Sequence, residues 1–197
     1  MSDEPVVVPS PRCRLCGNKA TRLAKAHIFP RGFFQNLPEK ARVNSMGING
    51  ETGRRLQNAI YDQSIICDNC EHGIMAPLDD YAIQIIRDKK DGIYIKLPSG
   101  SKSRIIVFDN VDKNKIRAFF ASVLWRCSLS QQFELKGVSI GNEYEKRIQD
   151  DLLHWSEPNR FLYCDVFLCK GIYTSLCARA GKFSMTTCLK SAIFVRS

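Results

Sequence analysis

Hydrophobic and polar positions along the chain fall first into helical patterns. Between residues 71 and 88, apolar side chains at 74, 75, 78, 81, 82, 85 and 86 recur with the 3.6-residue period of one helix face. Pro77 interrupts the run, and its missing N–H places the start of the regular helix near Leu78. A second pattern opens at Asp112, a capping residue, and runs to about Gln132 with Ile116, Phe119, Phe120, Val123, Leu124 and Cys127 along one face. Trp125 and Arg126 break into that stripe, and their simplest role is to pack the helix onto a sheet. A third helix, Asn142 to Leu153, sets Tyr144, Ile148 and Leu152 four apart.

Strand patterns fill the rest. Asp91 and Gly92 make a turn, Ile93 to Leu97 alternates, and Arg104 to Phe108 is a second strand. Arg160 to Val195 is rich in β-branched and aromatic residues with Gly171 and Gly181 as turns, which predicts three or four antiparallel strands. Nearer the start, residues 1–11 form a loose lead-in, and Lys19 to Ile28 holds two short strands or a strand and turn. Pro30 opens a short helix over Arg31 to Leu37, which Pro38 follows. Residues 42–60, with Gly47, Gly50 and Gly53, are an irregular insertion with a weak strand near Val43, and Ser64 to Ile66 is a buried strand. The fold class is therefore α+β. A small N-terminal unit spans 12–90, and an α+β domain with two helices and antiparallel strands spans 91–197.

Cysteine spacing gives the N-terminal unit its staple. Cys13 and Cys16 form one C-x-x-C pair, Cys67 and Cys70 another. Each pair suits a tight knuckle that aims two sulfurs at one point, and two knuckles complete a tetrahedral Cys₄ site for structural zinc. Gly17 fits a knuckle that needs positive φ. The long gap costs little, because loop-closure entropy grows slowly with length. The nine cysteines are an odd number, and no basic-then-apolar leader precedes them, so reduced thiols with a metal explain them better than a disulfide scaffold. Cys127, Cys164, Cys169, Cys177 and Cys188 sit in apolar segments and are expected to pack.

Charge then narrows the partners. The net charge is +9, and from Pro11 to Gly50 eight Lys/Arg face one acid, Glu39. Such a stripe suits a phosphate backbone, with Arg22, Lys25 and Arg31 as candidate nucleic-acid contacts; the plainer alternative is a solvated basic surface. No apolar run reaches the length of a membrane span, so no membrane association and a cytoplasmic location are expected. P-loop and Rossmann fingerprints are absent from the sequence.

The order Cys-x-x-Cys-Gly, then His27-Ile28-Phe29-Pro30, then Ile66-Cys-x-x-Cys-Glu71-His72 resembles the zinc-containing HNH nucleases over about Arg12 to Ile86. Ala118 to Ser130 and the segment from Val138 are similar to a group of bacterial HNH-like proteins without a known activity, which extends the likeness to about Ile148. The resemblance implies a ββα-metal unit with His27 as general base on its first strand. It implies cation ligands at the residue before the histidine and just after the second knuckle, where Glu71 or His72 would hold Mg²⁺ or Mn²⁺. Position 26 is alanine, a departure from the carboxylate of the pattern, with Asp79 or Asp80 as substitutes. His72 also has a plain reading as a surface residue, and His154 is expected to be structural. Two classes of function remain: a metal-dependent nuclease, or a non-catalytic zinc-ribbon module that binds nucleic acid or a protein partner.

Overall fold

The computed structural model describes residues 10–35, 59–88 and 111–158 in full, together with the backbone of strands at 43–46, 52–56, 92–96, 104–108, 164–169, 175–178 and 192–195. It is a mixed α+β structure. The lead-in up to residue 9, Pro38, Gly47, Gly50, Gly171, Gly181 and Cys188 lie outside the described residues.

Two short strands, β1 (Ala26–His27) and β4 (Tyr61–Asp62), pair antiparallel with Ala26 opposite Asp62 and His27 opposite Tyr61. The strand expected at Ser64 to Ile66 lies upstream, at β4. Ile65 and Ile66 are buried in irregular backbone, and their carbonyls accept the amides of Arg14 and Ala24 (both 2.7 Å). Ile65 thus pairs with the first knuckle and Ile66 with the chain just before β1, and no ladder forms. The weak strand expected near Val43 is β2 (Val43–Met46), and a further strand not expected in the insertion, β3 (Thr52–Leu56), pairs antiparallel with it, the register shifting between Asn44 and Met46. The helix expected after Pro30 is, over the described residues, only a 3-10 turn at Arg31–Phe34. Gly32 lies so close to the following helix that a Cβ there would overlap the Ile83 side chain, and Arg87 Nη1 donates to its carbonyl (2.7 Å).

Helical backbone is continuous from residue 68 to 87. It comprises α1 (Asp68–Cys70), a π-helical turn (Glu71–Met75), α2 (Ala76–Ala82) and a second π-helical turn (Ile83–Arg87). Pro77 does not delay the helix as expected. It stands at the first turn of α2, where the wide π turn before it has already shifted the hydrogen bonds that a proline cannot make. α3 (Lys113–Leu129) begins as the sequence predicts, with the Asp112 carboxylate accepting from the Lys115 amide (3.0 Å). It is buried nearly all round rather than along one stripe, Trp125 and Arg126 included. It packs between α2 and α4 (Asn142–Leu153). Trp125 Nε1 donates to the Glu145 carbonyl of α4 (3.1 Å), and Gln149 Nε2 ties α4 to the Leu15 carbonyl in the first knuckle (2.7 Å). Residues on both sides of the boundary expected at 90/91 thus share one core, from Cys13 and Leu15 to Ile148 and Leu152.

Five strands make the remaining sheet: β5 (Gly92–Lys96), β6 (Arg104–Phe108), β7 (Cys164–Cys169), β8 (Ser175–Ala178) and β9 (Ala192–Val195), in the order β5-β6-β9-β7-β8. The all-antiparallel expectation holds for β5/β6, β7/β8 and β7/β9, but β9 runs parallel to β6. Among the described residues no helix is long and apolar enough to cross a membrane.

Asp62 anchors β4 to the end of α3. One carboxylate oxygen accepts from the Ser64 amide (2.8 Å) and hydroxyl (2.6 Å), the other from the Ser130 hydroxyl and the Gln131 amide (both 2.9 Å). Burial alone would raise its pKa, but these four bonds outweigh it and hold the carboxyl below its ordinary 3.8. A group depressed in this way contributes stability that is complete above pH 3.8 and is lost as pH falls through the folded value. Asp62→Ala is therefore expected to cost about 1–3 kcal/mol at neutral pH, since it removes the acceptor of four part-buried hydrogen bonds. Urea denaturation between neutral pH and pH 3 should show the variant losing less stability on acidification than the wild type.

Candidate functional site

The first knuckle is a tight turn. The Gly17 amide donates to the Cys13 carbonyl (2.9 Å), the Cys13 amide to the Asn18 carbonyl (3.0 Å), and Gly17 takes φ +74°, which a residue without Cβ adopts at no steric cost. The second knuckle is the start of the 68–87 helix, with Cys67 at its cap and Cys70 one turn in. Together they bring all four sulfurs within 4.8 Å of one another, with Cys13 Sγ 3.8 Å from Cys70 Sγ and Cys16 Sγ 3.9 Å from Cys67 Sγ. A tetrahedron of metal–sulfur bonds of about 2.3 Å has edges of about 3.8 Å. The Cys67 amide also donates to Cys13 Sγ (3.3 Å). Burial and the adjacent Cys13 sulfur push the Cys70 thiol far above its ordinary value, and a coordinated dication reverses that preference by deprotonating its thiols. The four cysteines could hold a metal ion.

His27 lies one strand away from this cluster. From Ala24 to Ile28 the chain alternates strictly: Ala24, Ala26 and Ile28 are buried, Lys25 is exposed and His27 half-buried. The period of two in extended backbone puts Lys25 and His27 on the outer face. Tyr61, directly across from His27, joins them there. Its ring is 6.2 Å from the imidazole at 62°, and Lys25 Nζ sits 3.9 Å from its centroid. Burial and the charges of Lys25 and Arg31 hold the imidazole pKa below its ordinary 6.5; Asp79 pulls the other way, and Arg126 adds to the depression. His27 is therefore neutral at pH 7. Ala26 belongs to the inner face and is wholly buried, so the position that the resemblance assigns to a ligand is turned into the core.

Beneath β1 lies a buried ion pair. Arg126, wholly buried, donates through Nη2 to Asp79 Oδ1 (2.9 Å) and Ser122 Oγ (3.2 Å), and through Nη1 to Asp79 Oδ2 (3.2 Å) and the His27 carbonyl (2.5 Å). Its Nε donates to the Ser122 carbonyl (3.3 Å). All five donors of the guanidinium are thereby used. Asp79, offered above as a substitute cation ligand, has both oxygens occupied by Arg126, and Asp80 is exposed. Glu71 starts the first π turn, and its Oε2 is buried without a hydrogen-bond partner. Burial raises its carboxyl pKa against the pull of Arg126, with Asp79 adding to the rise.

The other expected residues are spread around this centre. His72 is exposed, and its Nδ1 donates to the Asp68 carbonyl (2.7 Å). That bond leaves Nε2 as the unprotonated nitrogen of the neutral ring. Among the described residues the four cysteines alone form a group of three or more ligating side chains, so Glu71 and His72 are not part of one. Arg31 is exposed and near enough to His27 to perturb it, whereas Arg22 pairs with Asp68 (3.8 Å) and, with Lys19, lines a cavity of about 730 Å³ beside Cys16, Cys67 and Cys70. His154 closes α4 by bonding the Asp150 carbonyl (2.9 Å). Cys127 is buried, its thiol pushed up to about 11 by burial, and packs as expected. Sequence reasoning gave Arg126 only a packing role against a sheet, where it instead pairs with Asp79, and did not single out Asp62 or Tyr61. A charged residue within an apolar helical run was the signal for the first. No protein-family model, curated protein or solved structure matches the chain.

Arg126→Met should leave Asp79 as an unpaired buried carboxylate and cost about 3–5 kcal/mol in chemical denaturation. Adding Asp79→Leu removes that charge and should recover part of the loss. Equal stability of Arg126→Met and the wild type would contradict the assigned role.

Proposed function

We propose that β1, β4 and the helix from residue 68 form an HNH-like ββα-metal unit that hydrolyses phosphodiester bonds of nucleic acid, with His27 as general base. The observation that carries the proposal is His27 itself: a half-buried imidazole held neutral at pH 7, on the first strand of a strand–strand–helix unit closed by four sulfurs. A base must be unprotonated to accept the proton of the attacking water. The strand holds the ring in place, since Arg126 bonds the His27 carbonyl from below. Lys25 and Arg31 supply positive charge for the phosphate backbone, and Arg22 extends the basic surface toward the knuckles. Glu71, whose buried Oε2 has no partner, would hold Mg²⁺ or Mn²⁺, with His72 Nε2 next in the chain. Such an ion takes one or two carboxylates together with substrate phosphate, and supplies charge to the leaving oxygen. In the Cys₄ site we place zinc, which an all-thiolate tetrahedral set favours. The thiols outside that set suit a reducing compartment, consistent with the cytoplasm.

The second reading is a non-catalytic zinc-stapled module that binds nucleic acid or a protein partner. It is favoured by the burial of Ala26 and the occupation of Asp79 by Arg126, which leave Glu71 as the nearest candidate carboxylate.

Two measurements test these assignments. Elemental analysis should find one zinc per chain. Cys67→Ser should lose it and unfold the knuckle unit, because structural zinc contributes folding energy outright; wild-type protein without zinc, or a Cys67→Ser protein that folds with wild-type stability, would contradict the centre. In the second, wild type and His27→Ala are incubated with plasmid DNA and RNA in Mg²⁺ or Mn²⁺, with EDTA as control. The variant should keep its zinc and melting temperature and cleave at least about a hundredfold more slowly. Wild-type cleavage should be level at neutral pH and decline as pH falls below 6.5, where His27 gains its proton. No cleavage under either metal, or equal cleavage by both proteins, leaves the binding module.

A further inference from the structure

We propose that Tyr61 is a base-stacking platform, and that the face formed by Lys25, His27 and Tyr61 takes single-stranded nucleic acid. This deepens the reading above and rests on its nucleic-acid part alone, not on hydrolysis. Tyr61 is 38% exposed, and among the described residues it is one of only three large hydrophobic side chains left so open, with Phe133 and Leu153. An isolated exposed apolar residue is ordinary. The setting of Tyr61 is not. It stands cross-strand from His27 on the outer face of a two-stranded ribbon whose inner face is sealed by Ala26 and Asp62. One lysine ammonium already lies over its ring, and the exposed Arg31 guanidinium acts on the neighbouring imidazole.

An aromatic ring flanked by cations matches the two chemistries of a nucleotide: a flat base with a π face, and an adjacent phosphate charge. The Lys25 stem is flexible and its hold on the exposed ring weak. The ammonium can therefore swing to a phosphate while a base takes its place over the ring. In a duplex each internal base face is already covered by its neighbours, and a protein ring reaches one only at the cost of unstacking it. Unpaired strands expose those faces, and recognition of them leans on aromatic side chains. The strand β4 thus offers a feature that favours single strands over duplex. The occupant is RNA or single-stranded DNA, because stacking tolerates any base and either sugar.

The test measures fluorescence anisotropy at low salt with no added Mg²⁺ or Mn²⁺ and no chelator, so that cleavage is not supported and the Cys₄ site keeps its metal. The probes are labelled oligonucleotides of about twelve nucleotides, DNA and RNA, alone or annealed to their complements, near the span of common single-strand sites. Wild type should bind the single strands more tightly than the duplexes. Tyr61→Ala should weaken single-strand binding about tenfold and duplex binding by roughly twofold or less. Tyr61→Phe keeps the ring and should remain near wild type. Because Tyr61 is exposed, the melting temperature of Tyr61→Ala should match the wild type. A preference of the wild type for duplex, no loss with Tyr61→Ala, or equal losses on both forms overturns the stacking proposal while nucleic-acid binding stands. Wild type that binds neither form defeats the nucleic-acid reading itself, and with it this proposal.

Discussion

Four sulfur atoms drawn within 4.8 Å of one another are the constraint on which the rest of this structure depends. Cys16 and Cys67 are 51 positions apart in the chain, and everything between them must start and finish at the same point. Once the knuckles meet, the Ile65 and Ile66 carbonyls lie against the amides of Arg14 and Ala24, and β1 comes into register with β4. The second knuckle is also the first turn of the 68–87 helix, so the helix leaves the cluster in a direction set by Cys67 and Cys70. Burial makes the Cys70 thiolate unfavourable, and a coordinated cation would resolve that conflict.

A second constraint joins this unit to the later helices. Arg126 enters from α3 and spends its donors on α2, on its own helix and on the carbonyl of His27. A buried pair of this kind adds little net stability over apolar packing, yet it is costly to break because the remaining charge has no partner. Its effect here is to specify geometry: β1 cannot shift along α2 without unpairing the guanidinium. Directly around it lie the features that natural proteins concentrate where function outweighs stability. These are a carboxylate oxygen without a partner, a π turn and an imidazole pushed toward its neutral form.

The alternation of a very short strand decides how these features can act. Odd positions 25 and 27 face outward with Tyr61, while 24, 26 and 28 are buried. One residue of slip would reverse every side chain, and the Asp62 network at the inner face, bonded to Ser64, Ser130 and Gln131, holds the register. The same alternation that presents His27 hides position 26, so the alanine there reflects a core requirement in this fold.

Much of the local structure was legible in the sequence because it rests on short-range chemistry. The two C-x-x-C pairs, the Asp112 cap, the 142–153 helix and the strand at 104–108 are each specified within a few residues, and each stands where the pattern placed it. The passage of the helix through Pro77 was not legible, since a π turn is a response to packing rather than a propensity. Neither was the parallel pairing of β6 with β9, which is a choice of partner between segments far apart in the chain. The centre divides in the same way. Histidine, cysteines and basic residues could be read directly, because their chemistry is carried by residue type. That Arg126 would claim Asp79, that Tyr61 would lie beside His27, and that Ala26 would turn inward depended on contacts across 47, 34 and 36 positions. Only the folded chain, which closes those loops, could decide them.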